Sequence, residues 1–395
     1  MALDGKNLTT VREENLRLVL RLLLQQGKCS RSELAKATGL KQATMTHIVN
    51  LLLSWDLVCE CGSIDGRVGR KSIAIAINPN KYRIISVRVG RKNLHIGVFS
   101  FNGSLLEHLS TPLPEDPKEL AKKIEKELSD VIAHHESEGI LGVGIALPGI
   151  YGGRGASGQE TQTRFLDALL SHLSSTLSLP VFIENDANCG ALAKAWYAPH
   201  GTRNLAFISV GAGVGAGIIV DGALYRGAGG NAGEIGHVSI HCEGPVCYCG
   251  NRGCLELYCS ENAFLRTCSE KAQTAVEPQK LSELLLEIRE DKNPVARELL
   301  RECAVYLGCG IVNLINSLDP ERLILSGRLV TSDPLFFDTV RKTLEERIGE
   351  DRMRRIDLEI SQKENETVLL GATVPVADSV LFAPSETFSR FLKSE

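Results

Sequence analysis

At 395 residues the chain is longer than one ordinary core fills, and its 43% hydrophobic and 23% charged residues are those of a globular protein of two or three domains. No apolar run approaches the ~20 residues of a membrane span, and the opening MALDGKNLTT lacks the apolar centre of a signal peptide; the expected setting is the cytoplasm, with no membrane partner. Residues 1–80 hold 11 Lys+Arg against 7 Asp+Glu and the remainder 33 against 41, so a basic head precedes an acidic body and nucleic acid is expected at one end only. The twelve cysteines are expected to be reduced, since the chain is long, shows no export signal and commits three of them to a metal pattern.

In chain order, Val11 to Gln26 places Leu16, Val19, Leu20 and Leu23 at helical spacing, and Gly27 ends the helix. Ser30 and Glu33 form an S-x-x-E capping box for a second short helix that stops at Thr38-Gly39. A third helix turns Met45, Ile48, Val49 and Leu52 to one face and leaves Lys41, Gln42, Thr44, Thr46, His47 and Asn50 outside. Two β-like runs about a Gly-rich basic turn follow, a hairpin wing carrying Arg67, Arg70 and Lys71. The pattern is a winged helix-turn-helix. In that geometry Lys41, Gln42, Thr44, Thr46 and His47 face base edges, while Arg67, Arg70 and Lys71 face phosphate or the minor groove. The bland alternative is a helical protein-interaction module; the charge favours DNA. Asn78-Pro79-Asn80 breaks the pattern and divides a head (1–80) from a body (81–395).

From Tyr82 three short strands joined by tight turns are followed by a helix (Pro117 to His135), the strand ILGVGIALPG, a helix (Arg164 to Leu177), the strand PVFIENDAN and the helix NCGALAKAWY. RNLAFISVGAGVGAGIIVDGALYRG then repeats strand, Gly-rich turn, strand. Two such α/β halves with a cleft between them describe the actin-like, ribonuclease-H-like sugar kinase architecture, with ligand expected in the cleft. A long helix after Pro294, a strand near SLDPERLILSG and a closing helix in ETVLLGATVPVADSVL complete the chain. Lys271 to Glu290 is polar and helix-prone and carries no site signal.

The chemistry concentrates in GEIGHVSIHCEGPVCYCGNRGCLE, residues 233–256. His237, Cys247, Cys249 and Cys254, spaced H-x9-C-x-C-x4-C, offer one imidazole and three thiolates, a set suited to a closed tetrahedral zinc site. Four protein ligands leave no position for a reacting water, so the zinc is expected to be structural. Gly250 and Gly253 supply the turns, and the knot would fix Glu234 and Glu256 where carboxylates can hold sugar hydroxyls. His241 and Cys242 read as bystanders. In ENDAN, Glu184, Asn185, Asp186 and Asn188 lie between a buried strand and a helix, at a strand's C-terminal end where open α/β folds bind ligands. The competing reading there is an ordinary helix cap.

ENDANCGALA, GAGVGAGIIVDG, GEIGH and CYCGNRGCLE resemble the ROK family (repressors, open reading frames, kinases). A winged head on such a body resembles its xylose repressor and N-acetylglucosamine repressor branch. The resemblance implies that Asn185, Asp186, Glu234, His237 and Glu256 contact sugar, with His237 also ligating zinc. A head of net charge +4 neutralises few phosphates, so the expected partners are a palindromic operator DNA, a second copy or more in a homodimer or homotetramer, and a sugar or sugar-phosphate effector; control by a phosphotransferase-system protein is a third reading that stays open.

Where ROK kinases carry an Asp-x-Gly-Gly-Thr phosphate loop, this chain reads Arg88-Val89-Gly90-Arg91-Lys92, and Ala212 stands where the second turn usually has threonine. The aspartate that would organise magnesium is lost, so no enzyme activity is expected. Arg91 and Lys92 are suited to an anion, which keeps a phosphorylated effector open. The segment after Leu147 lacks the family's tryptophan and has four glycines between Gly149 and Gly155, leaving the sugar undefined. The expectation is a sugar-responsive transcriptional regulator, a repressor of carbohydrate-metabolism genes; the alternative is a sugar kinase with an appended DNA-binding head.

Overall fold

The computed structural model describes residues 8–64, 72–116, 119–149, 156–197, 202–274 and 276–382. The head comprises α1 (Leu8–Gln26), β1 (Lys28–Ser30), α2 (Arg31–Thr38), α3 (Gln42–Ser54), β2 (Val58–Ile64) and β3 (Ser72–Ile77). Its strands form one antiparallel sheet in the order β1-β3-β2. The expected capping box is present: Ser30 Oγ accepts from Glu33 N at 3.2 Å, and Glu33 Oε2 accepts from Ser30 N at 2.8 Å. Gly39 ends α2 at φ 73°, a left-handed conformation that glycine adopts without a Cβ penalty. α1 begins at Leu8, three residues before the expected start.

The body repeats one topology. Its first half comprises β4 (Tyr82–Val89), β5 (Asn93–Ser100), β6 (Leu105–Pro112), α4 (Leu120–His134), β7 (Gly139–Leu147), α5 (Ala156–Thr176), β8 (Val181–Asn185) and α6 (Asp186–Trp196). The second has β9 (Leu205–Val210), β10 (Val214–Val220) and β11 (Ala223–Leu224), then an insertion with α7 (Glu256–Cys259), α8 (Glu261–Ala272), α9 (Leu281–Arg289) and α10 (Pro294–Leu318). It continues through β12 (Arg322–Ser326), α11 (Arg328–Ser332), α12 (Pro334–Ile348), α13 (Glu350–Met353), β13 (Asp357–Ile360) and α14 (Glu364–Phe382). The sheet orders, β6-β5-β4-β7-β8 and β11-β10-β9-β12-β13, match strand for strand: an antiparallel meander, then two parallel additions. Strands β4 and β7 are buried along almost their whole length, as strands covered on both faces are; β7 is apolar throughout, and β4 carries Arg83 and Arg88 among its apolar residues.

Helix α6 joins the halves and is gripped at close range. A Cβ at Gly217 of β10 would lie 2.2 Å from Ala187 O, and one at Gly371 of α14 would lie 1.7 Å from Cys189 O. Only glycine permits either approach. The stretch 271–290, read as polar and helix-prone, does form helix α9, and that helix turns Leu281, Leu285 and Ile288 into the second half's core.

Head and body share an apolar core. Leu16, Val19, Leu20 and Met45 of the head cluster with Tyr82, Phe101, Trp196 and Val380 of the body. Tyr82 Oη donates to Trp55 O at 2.8 Å, the Arg21 guanidinium lies 4.9 Å over the Trp196 ring, and Arg17 pairs with Asp378 at 2.6 Å. Each buried Leu or Val in such a cluster is worth ~1.5–3 kcal/mol, so the head is seated on the body by packing and not only tethered by chain. No helix of the described residues is long and apolar enough to cross a membrane.

Candidate functional site

On the head, Met45, Ile48, Val49 and Leu52 are buried, and Lys41, Gln42, Thr44, Thr46, His47 and Asn50 are all exposed along α3. β2 and β3 pair antiparallel as the expected hairpin. Its turn, with Arg67, Arg70 and Lys71, lies outside the described residues, as does most of the Gly-rich run from Gly149 to Gly155.

In the body, the loop between β11 and α7 folds back through short bridges, Ser239 to Cys254 and Val246 to Arg252, which bring residues 237 and 247–254 together. Gly250 and Gly253 sit at φ 93° and 63°, and a Cβ on Gly253 would lie 1.7 Å from His241 O. The turn therefore demands glycine, as the spacing predicts. Asn251 Nδ2 donates to Ser239 Oγ at 2.9 Å and to His237 O at 3.1 Å, locking the two arms.

The ligand atoms of His237, Cys247, Cys249 and Cys254 all lie within 4.8 Å of one another. Cys247 Sγ is 3.6 Å from His237 Nδ1, and Cys249 Sγ is 3.7 Å from Cys254 Sγ. A tetrahedron of ~2.3 Å metal–sulfur bonds has edges of about 3.8 Å, so this Cys3His set fits a metal ion with little adjustment. His241 and Cys242 stand outside the cluster.

Around the cluster the two expected carboxylates, Glu234 and Glu256, converge. With Nδ1 directed at the thiols, His237 Nε2 faces outward, 3.2 Å from Tyr248 Oη and 3.9 Å from Glu234 Oε2. Glu256, 6% exposed at the start of α7, puts Oε1 3.5 Å from His237 Nδ1 and 3.3 Å from Cys247 Sγ. Its other side meets a cavity of about 160 Å³ lined by Ala212, Tyr248 and Asn262. A Cβ at Gly213 would touch Glu256 Oε2 at 2.8 Å, so the second Gly-rich turn is cut to fit this carboxylate.

Asn185 and Asp186 form a second group at the end of β8. Asn185 Oδ1 accepts from Ala187 N at 2.9 Å and Asn188 N at 3.3 Å, so it caps α6, as the bland reading holds. Its amide is left for other contacts. Asp186 is held by Ala187 N at 2.8 Å, and burial pushes its carboxyl up to about 6, with Arg88 opposing and Glu364 reinforcing the rise. Arg88 ends β4, 8% exposed; it binds Glu364 and Asn365 at the start of α14 and reaches Asp186 at 3.9 Å. Glu184 turns to Asn188 Nδ2 at 2.8 Å and to Arg226 at 2.5 Å.

Sequence reasoning missed Glu261. It is 3% exposed and receives Arg91 at 2.5 Å and Arg328 through Nε at 2.8 Å and Nη2 at 2.6 Å, while its own N–H donates to Gly211 O at 2.8 Å. Arg91, read as open to an anion, already has one. An acidic residue in the first turn behind a Ser cap reads as an ordinary helix start, so nothing local marked Glu261; only the odd Arg91 hinted at a partner.

The ROK family model matches residues 84–378. A xylose repressor of Caldicellulosiruptor bescii is 31% identical over 402 residues, covering 96% of this chain and 99% of its own. The structure of a ROK family transcriptional regulator, described as a homologue of the E. coli MLC protein, superposes with TM-score 0.77 at 23% identity over 96% of this chain and 100% of that one. A ROK family glucokinase from Streptomyces griseus, solved with glucose and AMPPNP, superposes with TM-score 0.60 at 26% identity over 74% of this chain and 98% of that one.

Proposed function

The chain belongs to the ROK family, and we propose that it is a sugar-responsive DNA-binding repressor of carbohydrate-metabolism genes, not an enzyme. The observation that carries this reading is that the likeness to a xylose repressor runs through 96% of this chain, head included, whereas the glucokinase likeness covers 74%. On this reading residues 1–80 are a winged helix-turn-helix that presents Lys41, Gln42, Thr44, Thr46 and His47 to base edges and Arg67, Arg70 and Lys71 to the backbone. Residues 81–395 sense the sugar. A head of net charge +4 neutralises few phosphates, so operator binding requires two heads on a palindrome, with the second copy supplied by a homodimer or homotetramer.

The sugar is assigned to Asn185, Asp186, Glu234, His237 and Glu256. Carboxylates and the outward ring nitrogen accept from hydroxyls and the Asn185 amide donates, a mixture that suits groups which do both. Zinc is assigned to His237, Cys247, Cys249 and Cys254, where it would orient His237 and stiffen the loop bearing Glu234 and Glu256. Phosphoryl transfer is disfavoured because Arg88 stands where the magnesium-organising carboxylate would be and pairs towards the candidate base Asp186. The glucokinase likeness supports the alternative, a kinase with an appended head, and a phosphotransferase-system protein is a further candidate partner. Two assays decide. Duplexes selected from a random pool should be palindromic, and a thermal-shift panel led by D-xylose should contain a sugar that raises the melting point. Turnover with ATP and magnesium that disappears in Asp186→Ala would favour the kinase.

A further inference from the structure

His135 closes α4 with both ring nitrogens against carboxylates: Nδ1 lies 3.0 Å from Glu138 Oε2 and Nε2 lies 3.1 Å from Glu107 Oε2. A neutral imidazole has one N–H, so only one of these contacts can be a hydrogen bond; the other sets a lone pair against an anion. The surroundings select which. Arg83, 7% exposed, pairs with Glu138 at 2.5 Å through Nε and donates to it from Nη2 at 3.0 Å, which makes that carboxylate the better fixed of the two acceptors for an Nδ1 proton. In the tautomer protonated at Nδ1, Nε2 turns its lone pair towards Glu107, an arrangement that a cation between them would satisfy.

A third donor stands beside it. His134 is exposed, its ring edge-on to His135 with centroids 5.1 Å apart, and the ligand atoms of Glu107, His134 and His135 lie within 4.8 Å of one another. The 3.1 Å gap between Nε2 and the Glu107 oxygen is that of two ligands each about 2.1 Å from a shared ion. Arg83–Glu138–His135 is the outer line of support by which metal-binding imidazoles are usually fixed.

We infer that Glu107, His134 and His135 form a second metal site, on the first half of the body and separate from the cysteine loop, for a late first-row divalent ion such as zinc, nickel or copper. Mixed imidazole and carboxylate ligands select that class over magnesium or calcium, which prefer oxygen alone. Three protein ligands leave a position open to water. The ion would pin edge strand β6 to the end of α4.

The test is calorimetric titration of the full chain, prepared without a polyhistidine tag and loaded with a single equivalent of zinc for the cysteine loop with no free zinc left, with nickel chloride as probe. The expected result is one saturable nickel site per chain, weakened at least roughly tenfold in Glu107→Gln and in His134→Ala, and about tenfold in Glu138→Gln through loss of the supporting carboxylate. Both Glu107 and His134 are surface residues, so circular dichroism should show their variants folded. No saturable nickel binding overturns the proposal, because the His135 contacts would then be met by a proton alone. Binding of unchanged strength in Glu107→Gln and His134→Ala also overturns it.

Discussion

Arg91, in the turn between β4 and β5, and Glu261, at the start of α8, join the two halves of the body at 2.5 Å. Arg328 closes on the same carboxylate from beyond β12, so turns from both sheets converge on one buried anion. Glu261→Gln should lower stability by about 2 kcal/mol, less than the ~3–5 kcal/mol of a fully enclosed pair, because the two guanidinia are 36% and 41% exposed. Chemical denaturation of wild type and variant measures this. Magnesium-ATP should leave the wild-type melting point unmoved, since the guanidinia suited to a phosphate are already engaged.

Much of this body is legible from sequence, and the reason is physical. Short apolar runs and Gly-rich turns mark both meanders, and His237, Cys247, Cys249 and Cys254 fall within one short loop whose own glycines and bridges bring them together. The Arg91–Glu261–Arg328 group joins residues up to 237 positions apart in sequence, and no local pattern encodes such a meeting. The Arg88–Glu364 contact is hidden for the same reason.

Metal removal gives the second prediction. Purified protein should contain about one zinc per chain from the cysteine loop, and Cys249→Ser should release it and weaken sugar binding, because Glu234 and Glu256 lose their common support. Elemental analysis with a parallel thermal-shift titration checks both parts. Zinc-free wild type that binds sugar at full strength would separate the loop from the site.

Asp186 supplies a pH dependence. Its carboxyl is raised from 3.8 to about 6, so its protonated form is favoured in the fold, and the penalty for ionising it develops as pH rises from about 4 through 6. Asp186→Asn should remove that slope and add up to about 3 kcal/mol at pH 7. Unfolding free energies of both proteins at pH 5 and pH 7.5 test the sign: the variant's advantage should be larger at the higher pH.

The seat of the head gives a fourth. Arg17 and Asp378 are 32% and 44% exposed, so Asp378→Asn should cost less than ~1 kcal/mol of stability. The same helix α14 begins at Glu364 beside Arg88 and Asp186 and passes under the head, which makes it the material link between cleft and head. Asp378→Asn should therefore leave sugar and DNA affinities near wild type and reduce the factor by which sugar changes DNA affinity. Paired fluorescence titrations with and without sugar read that factor.

Coupling between a sugar in the cleft and DNA on the head is reciprocal and typically ~1–3 kcal/mol. Titration of a labelled, selected palindrome with wild type and Glu234→Ala, each with and without the tightest-binding sugar, tests it most directly. In wild type the sugar should shift operator affinity between about fivefold and 150-fold. Glu234→Ala should bind sugar-free DNA nearly as well as wild type and lose most of that shift. Equal sugar sensitivity in the two proteins, or no sugar effect in wild type, would contradict a sensor built on Glu234, His237 and Glu256.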